Sequence, residues 1–458
     1  MNISKIVQAQ KSYFAAQQTK DISKRKQLLK NLLAEITKRE KDIVAALYAD
    51  FKKSEYESVM TETSIVISEL KRTIKNIKSW AKPQPVMPAF LNFPSSSKIY
   101  KEPYGTVLVI SPWNYPYQLA FVPLIGAIAT GNTVVVKPSE LTPNTSKITK
   151  EIIETIFETN HVSVIEGGVE VSTALLAQRW DYIFFTGSVS VGKIVAKAAA
   201  QFLTPVTLEL GGKNPCIIDE TANIKLAARR IVWGKLINGG QTCIAPDYLL
   251  IHTSVKDKFV EYYQKEVTKA YSENPEESKD YPRIVNQRNF DRLAIMLENE
   301  NILIGGKTNR EDNYISPTLI NEPSLDSEVM KGEIFGPISP VLSYNTKDDI
   351  HAIISNYEKP LALYVFTGKK RFAKEMIANY SFGGGTINDT TVHFANHNLP
   401  FGGVGESGVG AYHGKQTFDI FCHKKGVTKR YNWLDLPVRY APYNGKLKIL
   451  KTFMKYFS

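Results

Sequence analysis

Cys243 ends the run Asn238-Gly239-Gly240-Gln241-Thr242-Cys243, directly after a stretch with helical periodicity. Most free cysteines are small core hydrophobes. This one stands in a polar, glycine-rich loop that crowds backbone N–H groups around the thiol, a setting for a nucleophile. Glu209, in Thr207-Leu-Glu-Leu-Gly211-Gly212-Lys213, closes an apolar strand. A carboxylate there is poorly solvated unless it faces a cleft or pairs with a nearby lysine. Desolvation would raise its pKa toward neutrality and make it a usable general base. Asn114, in Ser111-Pro-Trp-Asn-Tyr-Pro116, ends another strand just before a helix. Its amide either caps that turn or donates to a developing oxyanion.

A second group of residues points to a nucleotide. Gly187-Ser-Val-Ser-Val-Gly192-Lys193 matches the P-loop pattern G-x-x-x-x-G-K until Ile194, which replaces the hydroxyl that would hold Mg²⁺. An NTPase is excluded on that ground. The glycine turn still joins an apolar strand to a helix N-terminus, where free N–H groups favour a phosphate. Lys137-Pro-Ser-Glu140 closes a neighbouring strand at the edge where parallel sheets bind ligands, so Glu140 is either a ribose acceptor or a surface charge. Glu333, in Glu333-Ile-Phe-Gly-Pro337, is ambiguous alone. Gly403-Val-Gly405-Glu-Ser-Gly408 fits G-x-G-x-x-G, but no strand precedes it, and it reads as a tight turn.

The elements that must position these residues follow from periodicity. Residues 5–80 are helical, with Leu28, Leu29, Leu32, Leu33 and Ile36 on one face and Asp21 or Ser23 as cap. Residues 82–95 carry Pro83, Pro85, Pro88 and Pro94 and read as a linker or extended arm. Strands at Thr106–Ser111, Thr133–Lys137, Val162–Glu166 and Tyr182–Thr186 then alternate with helices. This implies α/β architecture with a parallel sheet covered on both faces. A second α/β unit begins near Pro205, and its helix, Asn223–Leu236, delivers Cys243.

Composition bounds the rest. A chain of 458 residues with 43% hydrophobic residues suits two or three globular domains. No apolar run is long enough for a membrane helix, and the first residues lack a secretory pattern. The three cysteines, Cys216, Cys243 and Cys422, are odd in number and far apart, as expected of a reducing, cytoplasmic setting. His393 and His397 lack the glutamate of a zincin helix, so no metal site is expected. The net charge of +12 raises nucleic acid as a partner, but no RNP-like run or zinc-finger spacing accompanies it, and a surface bias is the reading adopted.

Taken together, the motifs resemble the aldehyde dehydrogenase superfamily from end to end. The segments are Pro112-Trp-Asn-Tyr-Pro116, Lys137-Pro-Ser-Glu140, Phe185-Thr-Gly-Ser188, Leu208-Glu-Leu-Gly-Gly-Lys213, Gly240-Gln-Thr-Cys243 and Glu333-Ile-Phe-Gly-Pro337. Leu399-Pro-Phe-Gly-Gly-Val-Gly405 and Tyr412-His-Gly-Lys415 complete them, and the last points to the class 3 and fatty aldehyde branch. The resemblance implies an aldehyde dehydrogenase-like fold: residues 1–81 and 104–209 bind the cofactor in a Rossmann-type domain, and 210–395 carry the thiol. Residues 82–103 and 412–445 form a bridging arm, and 446–458 a basic amphipathic tail. It also implies roles. Cys243 is the nucleophile, Asn114 holds the oxyanion, and Glu209 activates the deacylating water. Lys137, Glu140, Gly187, Ser188, Gly192, Glu333 and Phe335 contact NAD, with NADP as the alternative. Tyr115, Phe401 and His413 line the substrate tunnel. Retention of Glu209 points to water, not coenzyme A, as acyl acceptor. The implied assembly is a homodimer. Gly239, where a small side chain is usual, and Glu406, where Asn, Ala or Ser is usual, depart from the pattern.

In the tail, Leu447, Leu450, Met454 and Phe457 fall at helical spacing beside Lys446, Lys448, Lys451 and Lys455. Such a helix lies in an anionic membrane interface or docks on protein. The expected substrate is an apolar medium- to long-chain or lipid-derived aldehyde, against a short or polar semialdehyde as alternative. A cofactor-independent cysteine hydrolase is the rival class, and it leaves the Gly187 turn and Lys137–Glu140 unexplained.

Overall fold

Thr106–Ile110, Thr133–Lys137 and Tyr182–Thr186 are runs of β-branched and aromatic residues, buried along their whole length. That pattern belongs to parallel strands covered by helices on both faces. The computed structural model describes residues 2–89 and 92–457, with the backbone alone for Phe453, Tyr456 and Phe457. In it these strands form the centre of a six-stranded sheet, ordered from Gly408–Val409 through Val206–Glu209, Tyr182–Thr186, Thr106–Ile110 and Thr133–Lys137 to Val162–Val164. All pairs are parallel except the edge strand Gly408–Val409. Val206–Glu209, read from the sequence as opening the second unit, therefore belongs to the first sheet, where Thr186 and Glu209 share a register.

The second sheet has seven strands. Thr318–Asn321, Ile338–Tyr344, Tyr248–His252, Pro215–Ile218, Ala362–Phe366 and Gly384–Ile387 run parallel, and the edge strand Ile302–Ile304 is antiparallel. The third is antiparallel: Gln84–Val86, Ser95–Pro103 and Cys422–Arg430, the last two paired from Cys422↔Pro103 to Arg430↔Ser95. The proline-rich linker is thus partly strand. Residues 412–421, expected in the arm, instead carry the helix Lys415–Ile420, and Phe418 and Phe421 join the core beneath Gln118–Thr130. The arm's returning strand begins at Cys422.

Every residue of the helix Gln118–Thr130 is buried, and Gly131 ends it in the left-handed region. The N-terminal helices pack against it. Leu29, Leu32 and Ile36 of Ile22–Lys38, and Val66, Leu70 and Ile77 of Ser64–Trp80, are fully buried in one cluster with it. This layer supports the strand end that bears Asn114, and through it the site.

Candidate active site

The nucleophile loop is held from several directions. Helix Ile224–Leu236, capped by Asn223, points at it. The chain then turns through Asn238, Gly239 and Gly240 at φ 56°, 62° and 77°. Gly240 is required twice over. Its φ is left-handed, and a Cβ there would lie 2.3 Å from the Gly336 carbonyl oxygen. The Gln241 amide donates to the carbonyls of Asn238 (2.9 Å) and Arg283 (3.0 Å), and its Oε1 accepts the Val285 N–H. Asn214 Nδ2 donates to the Cys243 carbonyl at 2.7 Å and to that of Ala245 at 3.0 Å.

Cys243 is half-buried on a cavity wall that it shares with Glu209. Burial raises its thiol pKa, and the carboxyls of Glu333 and Glu209 raise it further. The N–H groups of Cys243 and Ile244 work the other way by bonding to sulfur. Glu209 is 2% exposed, and neither carboxyl oxygen has a partner. Burial alone pushes its pKa well above the carboxylate range. Asn114, 3% exposed, uses one amide N–H on the Gln241 carbonyl at 3.0 Å. Its donor group is thereby tied to the thiol loop across 127 residues of sequence, with a second N–H left to give.

Glu333 is half-buried, and its Oε1 is a buried atom without a partner among the described residues. Burial, then Asp247, raises its pKa to about 8, against the Gly212 N–H, Arg292 and Lys213. A Cβ on Gly211 would fall 2.0 Å from Glu333 Oε2, so the missing side chain leaves room for that carboxyl. Phe335, at φ 53°, sets its ring edge-on to Trp113 with centroids 5.3 Å apart. Near the first sheet, Lys137 bonds Glu140 at 2.6 Å. Burial raises the Glu140 pKa, but the Lys137 hydrogen bond, a bond from its own backbone N–H and the Lys137 charge together outweigh it and hold the group below its usual value. Ser188 caps the helix Val189–Ala200, accepting the Val191 N–H. Gly187 and Gly192 flank it, and the Cβ-free side of Gly192 packs on Leu210. Lys193 pairs with Glu406 at 2.5 Å, so the unusual Glu406 joins the turn segment Gly405–Ser407 to this helix.

These groups fit a dinucleotide. The unpartnered buried atoms Thr186 Oγ1 and Glu333 Oε1 and the helix N-terminus at Ser188 supply acceptors and donors not used by the protein itself. Lys137 and Glu140 would hold the adenosine ribose, the Gly187–Gly192 turn the pyrophosphate, and Glu333 the nicotinamide ribose.

The cavity at Cys243 has a volume of ≈ 260 Å³, and its wall includes Tyr115, Leu119, Trp233, Ile237, Phe394 and Phe401. Tyr115 Oη and Thr242 Oγ1 are 2.7 Å apart. His413 is not on this wall. It lies behind Phe401, stacked at 5.1 Å, and lines an adjoining cavity with Glu69 and His397. The reason is local: Phe401 and Tyr412 form a bridge that turns Tyr412 inward, and His413, at φ 99°, leaves on the other side.

The model of the aldehyde dehydrogenase family matches residues 1–427. The chain belongs to this family. It is 49% identical over 447 residues, 97% of each chain, to the 4,4'-diaponeurosporen-aldehyde dehydrogenase of Staphylococcus aureus. It is 45% identical over 432 residues to aldehyde dehydrogenase family 3 member H1 of Arabidopsis thaliana, covering 93% of this chain and 89% of that one. Identity to the dimeric NADP-preferring aldehyde dehydrogenase of the dog, Canis lupus familiaris, is 41% over 447 residues, 97% and 99% of the two chains. The solved substrate-bound state of Staphylococcus aureus AldH superposes with a TM-score of 0.97 at 48% identity, over 99% of this chain and 100% of that one. The aldehyde dehydrogenase is NAD(P)-dependent and oxidises an aldehyde to its acid through a thioester.

Several residues of this aldehyde dehydrogenase site escape a reading by motif. Asn214 and Asn238 act through side-chain bonds to carbonyls that no local pattern announces, and Gln241, though inside a motif, was given no role there. Lys213 was legible only as the end of a motif. Its ammonium bonds Asp247 at 2.6 Å and the carbonyls of Val329 and Gly332 at 2.9 Å, pinning the segment before Glu333.

Proposed function

We propose that this aldehyde dehydrogenase acts on an apolar, medium- to long-chain or lipid-derived aldehyde. The observation that supports this most is the wall around Cys243 and Glu209, built from Leu119, Trp233, Ile237, Phe394 and Phe401. An alkyl or polyene chain gains about 25 cal/mol per Å² of apolar surface removed from water there, whereas a polar chain would leave its hydroxyls or charges unpaired. The relative at 49% identity is named a 4,4'-diaponeurosporen-aldehyde dehydrogenase.

In this reading Cys243 gives its thiol proton to Glu209 or a water and attacks the carbonyl carbon, whose C=O π bond opens to the thiohemiacetal oxyanion. The free N–H of Asn114 and the Cys243 backbone N–H hold the oxyanion. A nicotinamide dinucleotide held through Glu333 would supply the hydride acceptor for the oxidation. The thioester left on Cys243 is opened by a water from which Glu209 removes the proton, releasing the carboxylic acid. Glu209 faces the same cavity as the thiol and has no competing partner. NAD is preferred over NADP, because the Glu140 carboxylate would repel a 2′-phosphate. The protein is a homodimer joined through the arm sheet, whose strand Cys422–Arg430 pairs on one side only among the described residues. It is cytoplasmic and touches anionic membrane through the helix Lys446–Phe457, which leaves Leu447, Ile449 and Leu450 exposed beside its lysines.

Reduced-cofactor formation with a ladder of aldehydes of increasing chain length, run beside Cys243→Ser, tests the substrate class. Efficiency rising with length and lost in the variant supports it. Preference for short polar semialdehydes overturns it.

A further inference from the structure

Beneath the nucleophile loop lies a buried charge cluster that the reaction above leaves without a role. Lys53, Glu57 and Glu62 are 0%, 7% and 0% exposed. Lys53 Nζ lies 3.3 Å from Glu62 Oε1 and 4.2 Å from the centroid of the Tyr115 ring. Each carboxylate accepts backbone N–H groups from one half of the site. Glu57 Oε1 accepts Asn238 N–H at 2.7 Å, on the Cys243 side. Glu62 Oε2 accepts Tyr117 N–H at 3.1 Å and Gln118 N–H at 2.8 Å, on the Asn114 side. Asn238 closes the circuit: its Nδ2 donates to the Asn114 carbonyl at 2.8 Å and to the Gln241 carbonyl at 3.1 Å, the oxygen that Asn114 Nδ2 also bonds.

The two glutamates sit on consecutive pieces of an irregular backbone: Glu57 on the short helix Glu55–Ser58 and Glu62 on the π turn Val59–Thr63 that follows it. Met60 and Thr61 of the same turn line the catalytic cavity. A buried ion cluster is a poor route to stability, since desolvating each ion costs several kcal/mol and apolar replacements often do better. Fixed geometry is what such a cluster supplies. Around Glu57 stand Lys53, Glu62 and Asp280, and its own charge reaches Tyr115 and Tyr271.

We propose that Glu57 and Glu62, with Lys53 between them, clamp the two halves of the oxyanion site, and that Glu57 is the positioning residue that sets the Asn238 turn and hence the spacing between the Cys243 thiol and the Asn114 amide. The clamp acts on acylation and hydride loss, whichever aldehyde is the natural substrate, so it stands apart from the chain-length question.

The experiment is the pre-steady-state burst of reduced cofactor with a short aldehyde that the enzyme turns over, in Glu57→Ala, Glu57→Gln and Asn238→Ala. Cofactor affinity and circular dichroism are measured on the same samples. A misplacement of about 1 Å at the reacting atoms costs roughly 100-fold. Glu57→Ala and Asn238→Ala are therefore expected to slow the burst by about 10- to 100-fold, at near-wild-type cofactor affinity. Glu57→Gln, which keeps the acceptor oxygen, recovers most of the rate. The double variant Glu57→Ala with Asn238→Ala, measured alongside, is no slower than the slower single one, as for residues acting on one link. Burst rates near wild type in folded Glu57→Ala overturn the clamp. So does loss of cofactor affinity in parallel with rate, which marks a general structural role. If Glu57→Ala does not fold, a wild-type burst in Asn238→Ala overturns it equally.

Discussion

Glu209 and Glu333 illustrate how burial sets chemistry at the scale of one residue. Both are carboxyls with oxygens left unpartnered, and both are pushed upward by desolvation. Glu209→Gln is expected to give one equivalent of reduced cofactor and then stop, because the thioester forms without a base to hydrolyse it; rapid quench with mass measurement detects the acyl enzyme. Asn114→Ala is expected to lower the burst rate by about 100- to 1,000-fold. For Glu333 the sign of a stability effect follows. Its folded pKa, about 8, lies above the unfolded value of about 4.3. The folded apoenzyme therefore holds more protons between these values, and stability falls as pH rises through that window. Glu333→Gln is expected to flatten this loss, read as a Tm of the apoenzyme that depends less on pH. Glu140→Gln is expected to shift the NADP-to-NAD efficiency ratio upward by roughly five- to tenfold, the size of one screened charge contact.

At the scale of the element, the site depends on how strands and helices end. The strands Thr106–Ile110 and Val206–Glu209 finish at the edge of the first sheet and hand over Asn114 and Glu209. The helix Ile224–Leu236 finishes in three consecutive left-handed residues that hand over Cys243. Gly240→Ala tests this ending. Left-handed strain in a non-glycine residue costs about 1–3 kcal/mol, and the new methyl would also press on the Gly336 carbonyl. The expected result is a lower Tm with a disproportionate fall in kcat, since the same shift moves Cys243 and the segment before Pro337 apart.

Across the whole molecule, two sheets contribute to one cavity while a third reaches away from it. Cys422–Arg430 is exposed along most of its length and, among the described residues, pairs only with Ser95–Pro103, and an edge of that length left open invites another chain. Val427→Pro removes a ladder donor there. Sedimentation is expected to show a dimer for the wild type and a smaller species for the variant. The tail helix is tested separately by co-sedimentation with vesicles. Binding to anionic but not neutral vesicles, lost with added salt and on removal of residues 446–458, is the expected outcome. Among the described residues no helix is long and apolar enough to cross a membrane.

Short-range chemistry carried much of this protein in its sequence. Thr133–Lys137 and Tyr182–Thr186 coincide with their apolar runs because a strand buried on both faces needs nothing but apolar residues. The motif residues Cys243, Glu209 and Asn114 were legible because glycines and strand ends mark them. What the chain could not show by itself were contacts made across long separations. Val206–Glu209 looks like the start of a new unit, and only its pairing with Tyr182–Thr186 puts it in the first sheet. His413 follows a cavity residue in sequence, yet the Phe401–Tyr412 bridge turns it out of the cavity. Glu57, Asn214 and Lys213 read as ordinary polar residues. Their roles exist only because folding places each one under a carbonyl, an N–H or a carboxylate from a distant part of the chain. Periodicity and turn chemistry are local and survive in one dimension; the pairing of buried polar groups is decided by packing.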